Sequence, residues 1–90
     1  MVVYLLGSEK GEYGLELALK DPDSLIVLIQ DATFLPFKKQ DAFGKSSRLL
    51  ALHEHVEKRG LLGRIPESIR LIHFEEFVDL IISNKAINFL

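Results

Sequence analysis

Ninety residues make one domain, spanning 1–90, which on folding buries only about 60% of the surface its unfolded chain exposes, so a partner or a second copy is an expected source of stability. The 48% hydrophobic share is more than so small a core needs, and the excess points to a subunit interface. The absence of cysteine excludes disulfides, cysteine-ligated metals and thiol chemistry on this chain, and a net charge of −2 with scattered Lys and Arg argues against direct nucleic-acid binding.

Val2 to Leu6 is short and apolar, as a strand buried on both faces would be, and Gly7-Ser8 after it suits a helix N-cap. The start has no basic region before its apolar run, and no window reaches the roughly 18 apolar residues of a membrane span. A soluble cytoplasmic protein is expected. Glu9 and Glu12 favour the positive end of a helix that carries Tyr13, Leu17 and Ala18 on one side, and Asp21-Pro22-Asp23 stops it. Leu25 to Ile29 is the second buried strand. Pro36 fits the first turn of a short helix ending near Phe43-Gly44. Arg48 to Leu52 is a third strand, and Glu54 to Arg59 a helix with Gly60 at the left-handed position that closes it. Ile69 to Ile72 is a fourth strand. In the last helix Phe74, Phe77, Val78, Ile81 and Ile82 recur at helical spacing, with Glu75, Glu76 and Asp79 opposite, until Asn84.

This alternation predicts an α/β fold, a small three-layer flavodoxin-like domain. Its four-stranded parallel sheet, in the order 2-1-3-4, would carry helices on both faces. Ligands in such sheets bind beyond the carboxyl ends of the strands, where Gly7-Ser8, Gln30-Asp31, His53-Glu54 and His73 fall. Gln30-Asp31, which follows the most apolar strand, is the first candidate for a partner or ligand surface. The alternative is that the pair only caps and anchors loop backbone.

Gly7, Gly11 and Gly14 match neither the Walker spacing nor the dinucleotide fingerprint, so turn formation and close packing explain them better than nucleotide binding. His53, His55 and His73 offer three imidazoles, and an H-x-H pair on extended chain would aim both rings to one face. The pair lies at a strand-to-helix junction, however, so a surface or cap role is favoured. No catalytic residue, metal or cofactor is assigned. Phe34 and Phe37, with Phe43 and the tail residues Ile87, Phe89 and Leu90, are too many for so small a core. Part of this set is expected at a protein interface.

Three stretches carry a family likeness: LIVLIQDATF from Leu25, RLLALHEHVEKRGLLGRI from Arg48 and IRLIHFEEFVDLI from Ile69. An apolar strand ending Gln30-Asp31, a helix ending Arg59-Gly60-Leu61, and Phe74, Phe77 and Val78 after the last strand resemble the DsrH/TusB family, a branch of the DsrE-like proteins. The resemblance covers Val2 to Ile82. It implies the flavodoxin-like sheet and a place in an oligomer with DsrE-like and DsrF-like (TusD-like and TusC-like) subunits. Such assemblies relay persulfide sulfur towards 2-thiolation of the tRNA wobble uridine or serve sulfur metabolism. The chain departs from the family in having Ala32 where relatives have Gly, in a compressed segment from Thr33 to Ser47, and in lacking cysteine. Some family members carry a cysteine and others do not. Persulfide relay needs a thiolate, so the resemblance implies a non-catalytic, docking role here. The other readings are a free-standing module that binds a small ligand, or a homo-oligomer without relay function.

Overall fold

The computed structural model describes residues 1–8, 11–38 and 48–90. The far end of the helix expected after Pro36, including Phe43, lies outside the described residues, as does Glu9. The chain runs β1 (Val2–Leu6), α1 (Glu12–Leu19), β2 (Ser24–Leu28), a 3-10 helix (Gln30–Phe34), α2 (Leu35–Lys38), β3 (Leu49–Leu52), α3 (His53–Lys58), β4 (Arg70–Ile72), α4 (Phe74–Ser83) and β5 (Lys85–Phe89).

The sheet has five parallel strands in the order β4-β3-β2-β1-β5, which corrects the expected four strands in the order 2-1-3-4. Two physical reasons account for the difference. From Ala86 to Phe89 exposed and half-buried positions alternate, the pattern of a half-exposed edge strand, and Lys85–Phe89 pairs with the flank of β1 that the expected order had given to β3. The almost wholly buried β2 then takes the centre of the sheet, with β3 continuing on its far side.

The layering follows from the handedness of the crossovers. From β1 to β4 the chain steps in one direction across the sheet, so right-handed connections place α1, α2 and α3 on the same face. The step from β4 back to β5 reverses direction and puts α4 on the other face. Packing agrees with this. Leu15, Ala18, Leu35 and Val56 share one core cluster with Leu6, Ile26, Leu28 and Leu49. Phe77, Leu80 and Ile81 of α4 pack on a second cluster of Val3, Leu5, Val27, Leu50 and Ile72.

Two helices present faces other than those expected. In α1 the buried residues are Gly14, Leu15 and Ala18, whereas Tyr13 is 65% exposed. The reason is β5: a Cβ on Gly14 would stand 2.5 Å from the Phe89 ring, so only glycine lets the helix approach that strand. Phe89 in turn lies 6.3 Å from the Tyr4 ring and 6.2 Å from the Tyr13 ring. Phe89 thus packs against the core and is not part of a loose tail. In α4 no residue is fully buried, and Phe74 and Ile82 face solvent. The end of α3 is as expected. Gly60 has φ +68°, its N–H donates to the Glu57 carbonyl at 3.0 Å, and the Leu61 N–H donates to the Val56 carbonyl at 3.0 Å. These two bonds satisfy carbonyls that the helix would otherwise leave unpaired.

Candidate functional site

The carboxyl ends of the strands carry two separate polar groups. The first surrounds Gln30 and Asp31. Gln30 has φ +50°, a left-handed conformation that is unusual outside glycine. Three bonds hold it there. Its N–H donates to Nδ1 of His55 at 2.8 Å, its carbonyl accepts the hydroxyl of fully buried Thr33 at 2.7 Å, and the next residue, Asp31, pairs with Arg59 at 3.0 Å. Burial, with Arg59 and Lys58 close by, lowers the His55 pKa below the usual imidazole value and so favours the neutral ring whose Nδ1 can accept. This group ties the end of β2 to α3, and each of its members has a partner within the chain.

The aromatic residues that follow divide. Leu35 is fully buried and Phe34 packs against the first core cluster, whereas Phe37 is 41% exposed. Gly7, at the end of β1, has its N–H bonded to the Phe89 carbonyl at 3.0 Å, and a Cβ there would meet Leu90.

The second group lies between β3 and β4. Because α3 follows β3 on one face and α4 follows β4 on the other, the two chain connections diverge there and open a crevice, the kind of place where α/β sheets bind ligands. With the expected strand order the crevice would have fallen beside β1. His53 and His73 enter it from the two sides, with ring centroids 4.6 Å apart and planes 36° from parallel. Glu54 Oε2 accepts the Phe74 N–H at 3.1 Å and so caps α4 from outside that helix, while Oε1 lies 3.7 Å from His73 Nδ1. The Phe74 N–H is the main reason that the Glu54 carboxyl sits below its ordinary pKa, with its own backbone N–H and the two imidazoles adding to it against some desolvation. Donor atoms of His53, Glu54 and His73 all fall within 4.8 Å of one another.

The H-x-H pairing that extended chain would have allowed, and that the strand-to-helix junction argued against, does not form. His53 is the first residue of α3, and two residues on a helix are turned by about 200°, so His55 points to Gln30 while His53 points to His73. Glu54, not His55, lies beside the two rings.

At the amino ends of the strands lies Arg48, which was not singled out by the sequence. Its guanidinium bonds the carbonyls of Asp21 at 2.5 Å and Ser24 at 3.1 Å, and so holds the α1–β2 turn against β3. Two open grooves lie away from the carboxyl ends of the strands. One, of about 310 Å³, is bordered by Arg70, Asp79 and Asn84, and the other, of about 450 Å³, by Met1, Pro22 and Arg48. No helix among the described residues is long and apolar enough to cross a membrane.

A family model described as DsrH like protein matches residues 9–87. A search of curated proteins finds no match. With residues 9–87 covered, and with a parallel α/β sheet whose strand-end Gln30-Asp31 and Arg59-Gly60-Leu61 stand where the likeness placed them, the chain belongs to the DsrH-like family.

Proposed function

We propose that this protein is a non-catalytic subunit of a sulfur-relay assembly, docking beside DsrE-like and DsrF-like subunits that carry the persulfide towards tRNA wobble-uridine 2-thiolation or sulfur metabolism. The observation that carries the reading is the family match over residues 9–87, taken with a chain that has no cysteine. A sulfane sulfur travels on a thiolate, and this chain has none to offer. Exposed apolar surface supports a docking role: Phe74 and Ile82 are 55% and 76% exposed, and with Val78 between them they follow one another at i, i+4 and i+8 along α4. Gln30 and Asp31 are exposed, but the Gln30 backbone bonds His55 and Thr33 and Asp31 pairs with Arg59, which leaves Phe37 as the exposed apolar member of the surface proposed from the sequence.

Co-expression with DsrE-like and DsrF-like subunits from the same source, followed by size-exclusion chromatography with light scattering, tests the reading. The expected result is a stable complex. After incubation with a sulfur donor, intact-mass analysis should find the added sulfur on a partner cysteine and an unchanged mass for this chain. A chain that remains alone in the mixture, or that itself gains a stable sulfur adduct, would contradict the proposal.

A further inference from the structure

We propose that His53, Glu54 and His73 form a binding site for a divalent transition-metal ion of the Zn²⁺ class, set in the crevice between β3 and β4.

The geometry comes first. His73 Nδ1 and Glu54 Oε1 are 3.7 Å apart, too far for a hydrogen bond. Two ligands each about 2.1 Å from a tetrahedral ion stand about 3.4 Å apart, so this pair already has nearly the spacing that coordination requires. The remaining donor, on His53, is within 4.8 Å of both, and small rotations of partly exposed side chains close that distance. Among the described residues neither imidazole has a hydrogen-bond partner, although their rings stand 4.6 Å apart. A cation that accepts a lone pair from each ring gives that approach a use.

The electrostatics agree. Helix N-termini favour anions, and α4 begins at this crevice, but Glu54 already supplies the anion through its bond to the Phe74 N–H. That bond also fixes the carboxylate and leaves Oε1 turned towards His73, the outer-sphere orientation that metal ligands usually have. Two imidazole nitrogens and one carboxylate oxygen suit Zn²⁺, Co²⁺, Ni²⁺ or Cu²⁺ better than Mg²⁺ or Ca²⁺, which take oxygen ligands. Three protein donors leave a fourth position for water or for a ligand from another molecule, and the site is open to one: the His73 and Glu54 side chains are 65% and 45% exposed. The proposal stands on these residues alone and does not depend on the relay assignment.

The test is isothermal titration of the tag-free, chelator-treated chain with ZnCl₂, repeated with CoCl₂ while the visible absorption of the cobalt ion is recorded. The expected result is saturable binding of one ion per chain, with cobalt bands of low-symmetry coordination. His73→Ala, His53→Ala and Glu54→Gln should each weaken binding by roughly tenfold or more, since even partners outside the coordination sphere cost that much. Glu54→Gln keeps an oxygen for the Phe74 N–H and so should remain folded by circular dichroism. His55→Gln should bind as the parent does. Absence of saturable binding to the parent chain overturns the proposal whatever the variants do. So does affinity that survives both His73→Ala and Glu54→Gln, or that falls equally in His55→Gln.

Discussion

Two polar groups, each with histidine and a carboxylate, lie at the carboxyl ends of the strands, and they differ in how they are satisfied. At the end of β2, Gln30, Asp31, Thr33, His55 and Arg59 form a closed set in which the strained backbone of Gln30 is held by His55 and Thr33. At the ends of β3 and β4, His53, Glu54 and His73 converge without closing on one another. A polar residue at a strand end is therefore not a site by virtue of its position. The distinction lies in whether its donors and acceptors are used up inside the chain.

The largest effect that would break this comparison is on stability at the β2 end. Phe34 packs against the core, so Phe34→Ala should cost about 2 to 3 kcal/mol, whereas Phe37→Ala on an exposed ring should change stability by less than about 0.5 kcal/mol, both read from urea melts. Equal losses would show that the aromatic pair does not divide between core and surface. Next comes His55→Ala, which takes its acceptor from the Gln30 N–H at a site water can reach and should cost about 1 to 1.5 kcal/mol. A smaller effect, of opposite sign, sharpens the same point. Gln30→Gly removes the steric penalty of a positive φ and should raise stability by up to about 1 kcal/mol, provided His55 still accepts the backbone N–H. A clear loss would mean that the Gln30 side chain contributes more than its backbone. Asp31→Asn, at a carboxylate 65% exposed, should cost less than about 1 kcal/mol. The smallest change belongs to the other group: Glu54→Gln should leave the urea midpoint nearly where it was while altering metal affinity.

Much of the fold was legible because periodicity and caps are local. Val2–Leu6 reads directly as a strand, and Gly60 announces the left-handed residue that ends α3. Strand order was not legible in the same way. The position of β5 depends on a contact between Gly14 and Phe89, residues far apart in sequence, and nothing in KAINF by itself says which strand it will join. The candidate site suffered from both limits. The histidines were visible, but grouping His53 with His55 assumed extended chain where α3 begins, and the crevice that joins His53 to His73 exists only in the order β4-β3-β2-β1-β5. The internal use of Gln30 and Asp31 by His55 and Arg59 is likewise a tertiary fact.

The contrast between the closed and the open group is tested most directly by long-range proton–nitrogen NMR of the three imidazoles, recorded on one sample before and after one equivalent of Zn²⁺. The account predicts that His55 is in the neutral form protonated at Nε2, with Nδ1 accepting from Gln30, and stays so after zinc is added. His53 and His73 should each show a large shift at a single ring nitrogen as the ion binds. Shifts confined to His55, or no shift at His53 and His73, would contradict it.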